Sequence, residues 1–226
     1  MLQSTITKET FDFLKALEKN NNREWFNGYK AEFKAREAEV KDFFEALRER
    51  LESHDDIERS KLFRIYRDVR FSHDKTPYKT HFAGSFSRLG AHLRGGYYLH
   101  LQPGESFAAT GFWNPNKDDL FRIRKEFEQD ASDLREIMNA PKFKDIWGSL
   151  QGDAVKTAPK GFDKNHENID LIKRKQFIFL RKFSDEEVLS RQFIDDVDRA
   201  FKAIRPFFDY MSDVLTTNLN GESILD

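Results

Sequence analysis

The chain has 226 residues, 38% hydrophobic and 34% charged, which places it among compact soluble proteins long enough to bury a core. Lys and Arg number 38 against 39 Asp and Glu, so the formal charge of −1 excludes a histone-like or polybasic protein held to nucleic acid or an anionic membrane by total charge. Cysteine is absent, which excludes disulfides, thiolate nucleophiles, iron–sulfur clusters and Cys-ligated zinc.

No apolar run approaches the roughly 18 residues of a spanning helix. The opening MLQSTITKETFDFL has no basic stretch followed by an apolar one, so neither leader nor membrane contact is expected and the expected address is the cytoplasm. In chain order, Thr7 can cap a first helix over 8–19 with Phe11, Phe13, Leu14 and Leu17 on one face, and Asn20-Asn21-Asn22 breaks it. From Arg23 to about Ser53, Phe26, Tyr29, Phe33, Val40, Phe43, Phe44, Leu47 and Leu51 recur at three and four, the spacing of a second, long helix.

The pattern then changes to period two. Residues 62–71, 80–88, 97–102 and 106–113 read as a strand meander within 61–113, and Gln102-Pro103-Gly104-Glu105 suits a type II turn. Asn114-Pro115 opens a helix over 115–138 with Leu120, Ile123, Phe127, Ala131, Leu134 and Met138 as its buried stripe. Residues 155–162 are a candidate strand and 176–183 a firmer one. Ser184 to Glu187 form a capping box for a closing helix over 185–217, kinked at Pro206, and the tail from Asn218 is expected to be loose. Neither repeat nor linker is visible, so 1–226 reads as a single α+β domain: an antiparallel sheet of about four to six strands with long helices mainly on one face. The 23 phenylalanines against three methionines suit wide spacing between such layers.

The near-zero total hides an asymmetry. Lys61 to Gly104 holds eight basic residues (Lys61, Arg64, Arg67, Arg70, Lys75, Lys79, Arg88, Arg94) against two acids, Asp68 and Asp74, and four of the six histidines. An anionic ligand is the natural partner of such a stretch, unless acidic helices cover it and the charges cancel internally. Strand alternation would put Arg64, Tyr66, Asp68 and Arg70 on one side and leave Arg67 among apolar neighbours, so a bulge or a carboxylate partner such as Asp68 or Asp74 is needed there. Arginine's planar fork matches carboxylate or phosphate oxygens, and Arg64, Arg67 and Arg70 at spacing three, with Lys75, Lys79 and His81 beyond a turn, can converge on one anion. The alternative is a structural network tying the sheet to acidic helices.

Arg64, Arg67-Asp68, Arg70-Phe71, Asp74-Lys75 and Tyr78 form an R-x-x-R-D-x-R-F run followed by D/N-K-x-x-Y. This resembles the signature of an uncharacterised bacterial domain-of-unknown-function family that also occurs within some longer fungal proteins. The resemblance extends more loosely to Gly96 to His100, Pro103-Gly104, Gly111 and Pro159 to Phe162. It implies no reaction, ligand or cofactor.

Other constellations are weaker. His73, Asp74 and His81 fit no closed zinc spacing, no nucleophile motif occurs, and Gly95-Gly96 precedes a strand, unlike a phosphate loop. Tyr97, Tyr98, Phe107 and Trp113 on a basic sheet would allow single-stranded nucleic acid to stack, although the balanced charge and Phe-rich core make core packing the better account of such residues. The resulting expectation is a phosphate- or carboxylate-recognising domain, with its site where the 64–81 segment meets the 96–113 hairpin. Arg64, Arg67, Arg70, Lys75 and Lys79 would hold the ligand, Asp68 and Asp74 would orient them, and Tyr78, His81 and His100 are the candidate proton-transfer groups. Metal-independent chemistry, a ligand or nucleic-acid binding module, and a structural or interaction domain with internally paired arginines all remain open; no cofactor or metal is expected, and the oligomeric state is unspecified.

Overall fold

The computed structural model describes residues 5–225, so Met1 to Ser4, where the leader reading begins, lie outside it. The fold is α+β. Strands β1 (Ile57–Leu62), β2 (Phe82–Arg88), β3 (Gly96–Leu101), β4 (Ser106–Phe112) and β5 (Phe177–Phe183) form one antiparallel sheet in the order β1-β2-β3-β4-β5. Helices α1 (Lys8–Lys19), α2 (Arg23–Gly28) and α3 (Lys30–Leu51) precede it; α4 (Lys117–Gln129), α5 (Ser132–Asn139), α6 (Pro141–Trp147) and α7 (Ile169–Ile172) separate β4 from β5; α8 (Asp185–Leu189), α9 (Phe193–Ala203) and α10 (Arg205–Thr216) follow. The chain divides into two compact units, one of Met1–Phe86, Tyr98–Ala108 and Lys182–Arg199, the other of Ser87–Tyr97, Ala109–Arg181 and Ala200–Asp226.

In the first unit α3 packs on β2 through phenylalanine. Phe33 stacks on Phe82 at 6.2 Å and Phe44 on Phe86 at 5.5 Å. Gly84 lies between those two strand positions because a Cβ there would come within 2.3 Å of the Phe44 ring. The start of α1 is closed from α3: the buried Glu39 carboxylate accepts from the Thr7 N–H (2.8 Å), the Thr7 hydroxyl (3.0 Å) and the Thr10 hydroxyl (2.8 Å). Thr7 is therefore the capping position, but the capping acceptor comes from another helix, which supplies a full negative charge to the orphan N–H groups. The predicted turn between β3 and β4 has the expected chemistry, with the Glu105 N–H donating to the Gln102 carbonyl at 3.0 Å and Gly104 at φ 78°.

The second unit is also built on aromatics. Tyr97 meets Phe201 and Phe208 at 4.8 and 5.2 Å, Phe179 meets Phe143 and Phe207 at 4.9 and 5.1 Å, and Trp147 donates to the Ala200 carbonyl. Gly95, at φ 90°, lies against the Phe208 ring, where a Cβ would approach to 2.6 Å. Val197, Phe201, Ile204, Phe208 and Leu215 are all buried, as their spacing predicts.

Several boundaries differ from the sequence reading. The helix over 23–53 is interrupted at Tyr29, and that over 115–138 at Asp130, whose extended backbone ends α4 and whose carboxylate accepts from the Ser132 N–H. Asn116, two residues after Asn114, caps α4 by accepting from the Asp118 and Asp119 N–H groups. The closing helix over 185–217 is three helices. Ser190 is extended after α8, and Pro206, with no N–H to give, sits in the first turn of α10 and starts a new helix where a kink was expected. The Ser184–Glu187 capping box is present in full. Residues 155–162 form no strand; the nearest pairings are isolated bridges at Gln151–Ile178 and Ala154–Arg174. The tail closes on itself, with Asn218 N–H on the Glu222 carbonyl and Ile224 N–H on that of Thr216, so it is not the loose segment expected.

The largest correction concerns 62–71. The strand there lies earlier, at Ile57–Leu62, and residues 63–81 form an irregular excursion carrying one isolated bridge, Tyr66–Tyr78. The facing assigned to Arg64, Arg67 and Arg70 by strand alternation therefore fails.

Candidate functional site

The eight basic residues of the 61–104 stretch sort by what answers their charge. In the second unit the Arg88 side chain is fully buried, donating to the Arg94 carbonyl at 2.9 Å and to Asp209 at 3.2 Å over the Phe208 ring, and Arg94 pairs with Asp119 at 2.5 Å. In the excursion, Arg67 donates to Asp74, to the Thr76 hydroxyl and to the Thr76 carbonyl, so the expected carboxylate partner is Asp74. The Asp74 carboxyl is held down to about 2, chiefly by the Thr76 N–H, then by Arg67. Arg70 forms a two-toothed pair with Asp68 at 3.0 and 2.6 Å, both side chains lying mostly in water, 77% and 61% exposed. Lys75 donates to the Val69 carbonyl. Arg67 and Arg70 thus close their own excursion and do not converge on one point with Lys79.

Three cations are left, and two of them share one ring. The Lys61 and Lys79 ammonium groups lie 5.5 and 5.8 Å from the centre of Phe63, and Arg64 is close enough to Lys79 to lower its affinity for a proton. Burial is the larger cause of that lowering. Among the described residues none of these three has a carboxylate partner; Lys61 and Arg64 are exposed, and Lys79 alone is partly desolvated beside them.

Next to this cluster stands a polar aromatic row. Tyr98 on β3 lies 6.3 Å from Phe63. His81 just before β2, His100 on β3 and Phe107 on β4 follow at centroid spacings of 4.1 and 4.7 Å with tilts of 38° and 11°. Those spacings approach the distance between neighbouring strands, about 4.8 Å. The rings therefore face one another across the strands. Burial, then His100 and Lys79, pushes His81 down to about 4, and burial also lowers His100. Both imidazoles are neutral at pH 7, and the burial of Tyr98 keeps its phenol protonated. The Tyr98 hydroxyl lies 3.2 Å from His100 Nδ1, His100 Nε2 lies 3.0 Å from Gln102 Oε1, and Gln102 Nε2 donates to Glu105 at 3.2 Å.

Of the residues singled out in the sequence, Arg64, Lys79, His81 and His100 come together here. Arg67, Asp68, Arg70, Asp74 and Lys75 belong to the excursion. Tyr78 is 5% exposed, stacked on Phe26 at 3.9 Å and clamped through its backbone by Asn21, so its place is in packing. Sequence reasoning named Tyr98 only as a stacking surface and missed Phe63, and it missed Gln102 and Glu105 as the hydrogen-bond partners behind His100. The alternation Tyr98-His100-Gln102 on one strand, with Tyr97, Leu99 and Leu101 buried on the other side, was the available signal.

No curated protein and no solved structure matches the chain. The profile of DUF2461, described as a conserved hypothetical protein family, matches residues 9–210, almost the whole chain. That description names no activity, so the chemistry of the cluster has to be read from its own geometry, and the chain belongs to the DUF2461 family.

Proposed function

We propose that the chain binds a small phosphate- or carboxylate-bearing ligand on the cation cluster of Lys61, Arg64 and Lys79 around Phe63, with Tyr98 and His81 beside the bound anion. One observation carries this reading: Lys79 is partly desolvated with another cation, Arg64, as its strongest charged neighbour. An ammonium in that setting gains from an anion what protein carboxylates supply elsewhere in the 61–104 stretch. Neutral imidazoles and a protonated phenol alongside are the groups metal-independent proton transfer on the ligand would use. A stacked nucleobase is the weaker occupant, because the faces of His81, His100 and Phe107 are turned toward one another.

Calorimetric titration with inorganic phosphate, acetate and a single-stranded oligonucleotide tests the reading. Wild type should bind phosphate or acetate with an affinity that falls as salt rises, and Lys79→Met should lose about tenfold or more, as expected for a charge-assisted contact. Unchanged affinity in both Lys79→Met and Arg64→Met would remove this site from consideration. Oligonucleotide binding without phosphate or acetate binding would favour the nucleic-acid reading.

A further inference from the structure

The hydrogen-bond chain behind Tyr98 has a direction. Glu105 ends it, and a carboxylate only accepts, so the Gln102 amide presents Nε2 to it at 3.2 Å and turns Oε1 toward His100. That oxygen also only accepts, which fixes the His100 proton on Nε2, 3.0 Å away. His100 Nδ1 is then a bare acceptor, and the Tyr98 hydroxyl at 3.2 Å donates its one proton to it. What Tyr98 offers on its other side is a pair of lone pairs. The Tyr98 ring that carries them lies 6.3 Å, centre to centre, from the Phe63 ring that Lys61 and Lys79 flank.

We propose that Tyr98 is a specificity-determining residue that selects, among the anions held by Lys61, Arg64 and Lys79, those that carry a hydrogen-bond donor near the charge, such as a hydroxylated phosphate ester or a hydroxy acid. The inference rests on the anion-binding reading above and names its substrate class. A ligand hydroxyl finds an acceptor in Tyr98, whereas a ligand with only acceptors at that position meets lone pairs and leaves the phenol oxygen unsatisfied. The phenol is kept from ionising by burial, and the lowered proton affinity of His100 keeps Nδ1 bare at neutral pH, so the direction holds under physiological conditions. Glu105 never touches the ligand and acts by position, since it sets which way the amide, the imidazole and the phenol point.

The test compares ethyl phosphate, 2-fluoroethyl phosphate and 2-hydroxyethyl phosphate on wild type, Tyr98→Phe and Glu105→Gln, with nitrogen-15 NMR of His100 as an independent readout. Wild type should prefer the hydroxyethyl ester about tenfold, the ratio one ordinary hydrogen bond sets. Tyr98→Phe keeps the ring contacts with Phe63 and Phe107, so it should fold, bind all three esters and lose the preference. Glu105→Gln should shrink the preference while leaving ethyl phosphate binding unchanged, and the wild-type His100 spectrum should show the proton on Nε2. Equal affinity of wild type for the three esters, or a proton on His100 Nδ1, would overturn the inference while leaving anion binding standing. Binding of none of the three would overturn both.

Discussion

The tip of the excursion, which carries Arg67 and Arg70, and its base, where Lys79 shares the Phe63 ring with Lys61 of β1, are neighbours in sequence and both basic, yet their charges are answered differently. At the tip each arginine has a carboxylate a few residues away, Asp74 for Arg67 and Asp68 for Arg70, and Asp74 also closes a turn through the Thr76 N–H. Around Phe63 no carboxylate answers Lys61, Arg64 or Lys79 among the described residues. A dense run of arginines is therefore no measure of open charge, and the proposed anion site follows the cations that the fold leaves without a carboxylate.

The largest effect that would sharpen this contrast lies with a fully closed cation. Arg88→Ala removes a buried guanidinium from Asp209, Ser212 and the Arg94 carbonyl, and should cost about 3 kcal/mol in chemical denaturation. A cost below about 1 kcal/mol would mean that burial and pairing in this stretch do not distinguish structural from functional cations.

A pH effect follows from His81. Its proton affinity is depressed to about 4 in the folded chain from an ordinary 6.5, so the stability that comes from keeping it neutral is present above pH 6.5 and is lost as pH falls through about 4. Denaturation midpoints of wild type should drop over that window, and those of His81→Gln should drop less. His100 and Lys79 face the same group, and their presence makes the proton harder still to accept. Identical slopes in the two proteins would break the assignment.

Smaller effects belong to the excursion. Arg67→Ala should cost about 1 kcal/mol, because it unties Asp74 and Thr76 in a half-exposed setting. Arg70→Lys should leave the denaturation midpoint unchanged, since the pair it weakens lies in water. Neither should alter phosphate binding. Lys79→Met, in contrast, should leave stability within about 0.5 kcal/mol and weaken binding, the reverse of the Arg88 result.

Much of the fold is legible in the sequence because helical spacing and cap chemistry are local. The Ser184–Glu187 box, the Pro103-Gly104 turn and the buried stripe of Val197 to Leu215 depend on a few neighbouring residues and appear as read. Strand β1 was hidden for a physical reason. It is the edge of the sheet, and Ile57-Glu-Arg-Ser-Lys-Leu62 carries the charges an edge needs, so it shows no apolar alternation. The alternating Phe63, Ile65, Val69 and Phe71 imitates a strand instead, although Ile65 is buried and Phe71 is 96% exposed. That displacement removes the strand facing assigned to the arginines, whereas the strands next to His81 and carrying His100 lie close to where the sequence put them. Tyr98, Gln102 and Glu105 became visible as partners only once the distances between their side chains were known.

The central claim is that the open cluster, and not the arginine excursion, receives the anion. Titrating inorganic phosphate into isotopically labelled protein and following the Lys79 ammonium, the His81 and His100 rings and the Arg67 and Arg70 guanidinium groups by NMR tests it most directly. The account predicts saturable shifts at Lys79 and His81, with His81 gaining proton affinity as the anion binds, and little change at Arg67 and Arg70. Saturable shifts confined to Arg67 and Arg70, with Lys79 and His81 unmoved, would contradict it.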